Sequence, residues 1–344
     1  MCSTLADEVK RQAGALGFEL CGIARCEPSA FRAEVTRWLE GGRHGEMGYM
    51  ARDPERRLDP ARVLPGAHSI VSVGMNYYAG PDEPGPTTAV FARYARNLDY
   101  HDVMAGRLRG LLAWLRERCG PGADGRVYVD TGPLLEREVA CRAGLGWFGK
   151  NTMLINTRRG SYFLLGELLT TVALAPDAPA RGGCGACTRC IDACPTGAIV
   201  RPYQVDARLC ISYLTIEQKG SIPGHLAERM GARVFGCDIC QEVCPFNERR
   251  AVATAEPALM PRESTSRVNV TDLLALGDEA FREGYRKSPV KRAKRRGLLR
   301  NAAAALSSRE DAQAIAALEH ALTDPEPLVS EQARRSLEAI RARR

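Results

Sequence analysis

The sequence predicts a multidomain chain of mixed α+β / α/β class. It should comprise an α/β region over residues 1–175, a compact cysteine-rich module over 176–250 and a helical segment over 251–344. Three observations carry this reading. Helix-period and β-branched runs alternate through the first half. Eight of the thirteen cysteines fall between Cys184 and Cys244. The last part is rich in alanine and leucine, with apolar residues three and four apart. A chain of 344 residues is long enough to bury more than one core.

Composition narrows the class. Hydrophobic residues make up 45% and charged residues 26%, as in ordinary soluble proteins, which argues against a disordered or fibrous chain. The longest apolar stretch, Leu164 to Leu169, is interrupted by Gly166 and Glu167 and is far too short to span a bilayer. The first residues are acidic early and carry no apolar export segment. A cytoplasmic protein with no membrane partner is expected, and nothing in the chain demands more than a monomer.

Each element follows from local chemistry. Leu5 to Leu16 reads as an amphipathic helix ending at Gly17, and Phe31 to Leu39 as a second one stopped by Gly41 and Gly42. His68 to Gly74 is β-branched and reads as a buried strand. His101 to Cys119 predicts a long helix broken by Gly120-Pro121-Gly122. Arg126 to Asp130 reads as a short strand, followed by Thr131-Gly132-Pro133 and a helix from near Leu134. Pro133 suits a first helical turn, where its missing N–H costs nothing. Ser161 to Ala175 predicts a core strand, and the Ala/Pro/Gly-rich stretch from Ala175 to Gly183 a boundary. Leu298 to Leu306, Asp311 to Leu322 and Leu328 to Ile340 predict three helices in a HEAT-like pattern. At about one and a half repeats this pattern cannot bury its own faces, so it should pack on the main body.

The cysteines carry the chemistry. Cys184, Cys187, Cys190 and Cys194 before Pro195 have the C-x2-C-x2-C-x3-C-P spacing of bacterial ferredoxins, and Cys237, Cys240 and Cys244 before Pro245 form a second run, with Cys210 alone between them. Three closely spaced thiolates wrap three corners of an iron–sulfur cube, and the fourth cysteine of such a run ligates the other cluster. One [4Fe–4S] cluster is therefore assigned to Cys184, Cys187, Cys190 and Cys244. The second is assigned to Cys194, Cys210, Cys237 and Cys240. Paired zinc sites also use C-x2-C, but zinc has no use for a third cysteine two residues on and a fourth before proline. The scattered Cys2, Cys21, Cys26, Cys119 and Cys141 read as small buried hydrophobes. Two clusters imply electron transfer to something in the rest of the chain.

The net charge of +7 is concentrated. From Phe281 to Arg300 nine lysines and arginines stand against Glu283, leaving the remainder close to neutral. A localised anion-binding face is expected there.

Together these residues resemble the epoxyqueuosine reductase family. The similarity lies in 184–199, in Cys210-Ile-Ser-Tyr-Leu-Thr215 and in Phe235 to Pro245. It extends to Val129-Asp-Thr-Gly-Pro-Leu-Leu-Glu136, Ala143-Gly-Leu-Gly-Trp147 with Gly149-Lys-Asn151, and Lys294 to Ala302. The resemblance implies reduction of epoxyqueuosine to queuosine at the wobble base of tRNA. It also implies cobalamin held by the N-terminal domain, base-off and without a protein histidine, and an electron donor whose identity it leaves open. No Asp-x-His-x-x-Gly sequence occurs, and His44, His68, His101, His225 and His320 read as ordinary polar residues.

By the same resemblance Asp130 is the proton donor, with a pKa raised by burial against the corrin. An unmatched aspartate there would more often cap the following helix. Corrin contacts map onto Arg57, Asp130, Leu154, Leu165, Leu168, Ser212 and Asp238, while Ala92 stands where some relatives carry a polar side chain. Arg56 is an alternative to Arg57. Gly144-Leu-Gly-Trp-Phe-Gly149 satisfies G-x-G-x-x-G but follows a helix, so a dinucleotide site is rejected and close approach to the corrin is expected. Lys287, Lys291, Arg292, Lys294, Arg295 and Arg296 are expected to hold the phosphates of the anticodon stem-loop. Two other readings compete: a corrinoid reductive dehalogenase, and a non-enzymatic ferredoxin-type carrier that would leave the first 175 residues without a task.

Overall fold

The computed structural model describes residues 4–343; Cys2 lies outside them. Its centre is a four-stranded sheet built from β1 (Leu20–Arg25), β2 (Ser69–Asn76), β3 (Gly125–Tyr128) and β4 (Phe163–Thr170), in the order β1-β2-β4-β3. Every neighbouring pair is antiparallel. The first region is therefore α+β in its pairing, with no parallel crossover in this sheet.

Helices α1 (Leu5–Ala15) and α2 (Tyr100–Cys119) cover one face of the sheet, burying Val9, Ala13, Met104, Leu108 and Leu111 against Val71, Val73 and Leu168. Helix α3 (Glu136–Arg142) covers the other, setting Val139 and Ala140 against Ile70 and Leu169. The α1 start is a capping box between Thr4 and Asp7, and Gly17 takes φ +86° beyond its end. Helix α3 begins at Glu136 rather than near Leu134, so Pro133 lies in the preceding loop and not in a first turn.

The linker expected at 175–183 is pinned to the first region. Asp177 accepts the Ile23 N–H at 2.9 Å and pairs with Lys10. Of the scattered cysteines, Cys21, Cys26 and Cys141 are half-buried at the edges of the sheet cores, whereas Cys119 is exposed at the end of α2.

The C-terminal helices α5 (Lys294–Ala305), α6 (Ala312–Ala321) and α7 (Pro327–Arg343) follow a short helix α4 (Ile211–Ile216) in the cysteine module. Their core contains Leu298, Leu299, Leu318 and Leu337, but also Phe91 from the first region and Phe235 from the second. Phe91 and Phe235 belong to two short strands, Val90–Phe91 and Arg233–Phe235, paired in parallel. The three sequence regions thus share a core. Among the described residues, no helix is long and apolar enough to cross a membrane.

Candidate active site

One large cleft, about 2160 Å³, opens where the three regions meet. That is more than twice the roughly 1,000 Å³ upper end of pockets for drug-sized ligands. Its walls include Leu154 and Leu165 from the sheet side, Ser212 from α4, Asp238, and the cations Arg57, Lys287, Lys291 and Arg292. Backbone strain is concentrated there. Of the five non-glycine residues with positive φ among those described, Asp130, Thr152, Tyr203 and Lys287 all line the cleft.

Asp130 stands just past the end of β3, at φ 57°. It does not cap α3. Instead its own N–H donates to Glu136 Oε1 at 2.6 Å, and Arg57 supports the following turn by donating to the Gly132 and Leu134 carbonyls at 3.3 and 3.4 Å. Arg57, rather than the exposed Arg56, is the half-buried arginine.

The side chain of Asp130 is 62% exposed to the cleft, and His101 Nε2 lies 3.4 Å from its Oδ2. That hydrogen bond holds the Asp130 carboxyl below its ordinary pKa against the opposing effect of burial. His101, expected to be an ordinary polar residue, is held on its other side by Asp99, with Nδ1 2.6 Å from Oδ1. Burial opposes its charge, but the bonds to Asp130 and Asp99 win and lift its pKa to about 9.

Behind Asp130 sit two carboxyls that sequence reasoning missed. Burial, then the charge of Asp130, raises Glu136 to about 7. Glu167, fully buried on β4, is raised well above its usual range by burial and by Glu136. The only visible sign of the pair in the sequence was an acid interrupting an apolar strand.

Burial raises the thiols of Cys190, Cys210, Cys237, Cys240 and Cys244, and neighbouring thiols add to it: Cys190 feels Cys184, Cys244 and Cys187, and Cys244 feels Cys184 and Cys187. Cys210 feels Cys194, and Cys237 and Cys240 both feel Cys210. Among the described residues no three ligating side chains stand together as a preformed metal site, so the crosswise division rests on the spacing. Cys240 also feels Cys190, so the two groups adjoin. Cys194, Cys210, Cys237 and Cys240 all line the cleft; the other four do not.

The Gly-Lys-Asn segment staples these loops in place. Lys150 Nζ donates to the Gly185 and Cys187 carbonyls at 2.7 and 2.9 Å, its N–H points at Cys184 Sγ at 3.4 Å, and Asn151 donates to the Cys240 carbonyl at 3.0 Å.

The structure corrects several expected contacts. Leu168 faces α2 in the sealed core, on the opposite side of β4 from Leu165, and does not line the cleft. Gly144 and Gly146 approach the chain itself rather than a ligand, because a Cβ there would stand 2.7 Å from the Ala178 carbonyl and 2.4 Å from the Ile155 carbonyl. Ala92 is buried against Gly236 and contributes no polar group. Arg295 is committed to Asp324 at 2.6 Å and to the Leu276 carbonyl at 2.8 Å, with 15% of its side chain exposed, so it does not present a cation for phosphate. Arg292 lies 2.7 Å from Glu217 and over the Tyr49 ring. Lys287, Lys291, Lys294 and Arg296 are exposed. Asp238 is buried, accepts the Arg93 N–H at 2.7 Å and is raised by burial to about 6.

A double-cluster cysteine pattern with four of its cysteines on a cleft that carries its own acids points to an iron–sulfur oxidoreductase. A model described as a 4Fe-4S double cluster binding domain matches residues 183–247, and one described as epoxyqueuosine reductase QueG, DUF1730, matches residues 57–131. The epoxyqueuosine reductase of Pseudomonas aeruginosa is 42% identical over 311 residues, covering 88% of this chain and 85% of that protein. That of Escherichia coli K12 is 40% identical over 309 residues, covering 88% and 81%. A crystal structure of epoxyqueuosine reductase with an epoxyqueuosine-modified tRNA-Tyr stem loop superposes with a TM-score of 0.89 at 32% identity, covering 98% of this chain and 90% of that one. The Bacillus subtilis enzyme, solved with its catalytic loop swung out of the active site, gives 0.88 at 32% identity, with the same coverage. The chain belongs to the epoxyqueuosine reductase family. That membership sets aside both the dehalogenase and the simple carrier.

Proposed function

We propose that the protein reduces epoxyqueuosine in tRNA to queuosine at this cleft, with a corrinoid seated between Asp130 and the thiolates of Cys194, Cys210, Cys237 and Cys240. The observation that carries this reading is that all four of those cysteines open onto the cleft that holds Asp130. The group of Cys184, Cys187, Cys190 and Cys244 then holds the outer [4Fe–4S] cluster, and the lining group holds the inner one.

The residues present fit a corrinoid. The cleft has the volume, with apolar walls at Leu154 and Leu165 and hydrogen-bonding groups at Arg57, Ser212 and Asp238. Among the described residues, His101 is the one histidine lining the cleft, and both its ring nitrogens face aspartates. A corrinoid held here would take no imidazole from the protein. When bound, the corrinoid supplies the electrons that open the epoxide.

The chain's own groups bind, orient and protonate. Asp130 passes a proton from its Oδ2 to the departing oxygen, and its left-handed backbone, tied to Glu136, aims the carboxyl into the cleft. Lys287, Lys291, Lys294 and Arg296 attract the phosphates of a stem-loop such as the one the related structure contains.

The test is anaerobic incubation of reconstituted protein with cobalamin, a low-potential reductant and an epoxyqueuosine-bearing stem-loop. Queuosine should appear, and Asp130→Asn should slow its formation by about 10²- to 10⁴-fold. Turnover by Asp130→Asn at the normal rate would remove the proton-donor role.

A further inference from the structure

Opening an epoxide to an alkene consumes two electrons and two protons and releases the oxygen as water, yet Asp130 carries at most one proton. We propose that His101 is the positioning and proton-relay residue of this site, passing protons from solvent to Asp130, with Asp99 fixing its ring. The inference rests on the reading of Asp130 given above and extends it.

The geometry is that of a relay. The imidazole bridges two carboxylates, Nδ1 at 2.6 Å from Asp99 and Nε2 at 3.4 Å from Asp130. Its ring stacks on Tyr100 at 4.1 Å between centroids, which sets its plane, and 31% of the side chain stays exposed, which gives water access. Asp99 is itself held. It is the N-cap of α2, its carboxylate accepts the His101 N–H at 3.1 Å, and its own N–H donates to the Lys287 carbonyl at 2.8 Å.

A histidine between two aspartates keeps both ring protons to higher pH than a free imidazole, and the same contact keeps Asp130 ionised at rest. The other charged and titratable groups around this pair are Asp102 and Tyr100 on α2, Glu136 and Arg137 on α3, Glu167 on β4, Tyr49, Arg57 and Tyr94 across the cleft, and Lys287 and Arg292 from the C-terminal segment.

The step balances. The Nε2–H bond breaks as an O–H bond forms on Asp130, and Asp130 passes that proton to the departing oxygen. Neutral His101 then takes a proton from water, and a second pass completes the water molecule. The two electrons are those of the reductase reaction itself. A histidine that only packed against the loop would alter stability or stem-loop affinity and leave the pH dependence of the rate unchanged.

The experiment is a single-turnover pH profile of pre-reduced, cobalamin-loaded enzyme with saturating stem-loop, from about pH 6 to about pH 10. Wild type should lose rate as pH rises through about 9. His101→Gln should be about 10- to 100-fold slower near neutrality, lose that alkaline limb, keep its stem-loop affinity and recover in part with added imidazole. Asp99→Asn should shift the limb to lower pH, which tests the relay even if His101→Gln fails to fold. A slow Asp130→Asn beside a His101→Gln of normal rate and profile overturns the relay alone. An Asp130→Asn of normal rate overturns the reading beneath it as well.

Discussion

Replacing Arg300 by methionine tests how the basic C-terminal helix is joined to the cluster module. Arg300 is 1% exposed and reaches no carboxylate. Its guanidinium donates instead to the backbone carbonyls of Leu214 at 2.9 Å, Gln218 at 3.2 Å and Gly220, all in or just beyond α4. Neighbouring Asn301 donates to the Thr215 and Val234 carbonyls at 2.7 and 2.8 Å. Helix α4 carries Ser212 and follows directly on Cys210, so this stitch fixes one wall of the cleft.

Hydrogen bonds to charged groups contribute about 1.5–3 kcal/mol each, giving roughly 5–9 kcal/mol for three. Burial pushes the Arg300 pKa down from 12.5 to about 10, equivalent to roughly 3 kcal/mol of desolvation that methionine would relieve. The net loss is about 2–6 kcal/mol. At roughly 2 °C per kcal/mol for a chain of this size, the apparent Tm should fall by about 4–12 °C. Anaerobic thermal melts followed by far-UV circular dichroism and by cluster absorbance read both ends of the effect, and the cluster signal should be lost first. A Tm within about 1 °C of wild type would refute the reasoning.

Two further outcomes follow from the site. Glu136 and Glu167 have pKa values raised by burial, so the folded state holds protons that the unfolded chain releases, and stability falls as pH rises from about 4.5 through about 7. Glu167→Gln should flatten that fall and raise the Tm at pH 8 relative to wild type, whereas parallel Tm–pH curves would contradict the pairing. Alanine at Lys291, Lys294 or Arg296 should each reduce the salt slope of stem-loop binding by about 0.7–0.9. Arg295→Ala should leave that slope unchanged and lower the Tm, because its partners are Asp324 and the Leu276 carbonyl.

What was legible in the sequence was whatever chain distance alone dictates. The crosswise grouping of the eight cysteines follows from spacings of two and three residues. The long helix ending at Gly120 and the strand through Val71 and Val73 follow from periodicity. Asp130 was found through its motif, which also contains Glu136, but His101 was not. His101 is 29 positions away and meets Asp130 only because α2 packs along the sheet that ends at this loop. Glu167 appeared as a mere break in an apolar run, although an acid in a fully buried strand is itself informative. In the basic segment, charge was counted without asking which way each side chain points. Arg300 lies among buried Leu298, Leu299 and Asn301, and that helical phase was readable. The glycine-rich run misled for the opposite reason: close approach was right, but the approaching atoms belong to the chain's own backbone.

The central claim is that the cleft seats a corrinoid fed by the lining thiolate group. Electron paramagnetic resonance of anaerobically reconstituted protein titrated with cob(II)alamin tests it most directly. The account predicts a base-off spectrum without nitrogen hyperfine splitting from a protein ligand, lost on reduction through the clusters in wild type but persisting in Cys237→Ala. A nitrogen-split signal, or no bound corrinoid in protein carrying both clusters, would contradict it.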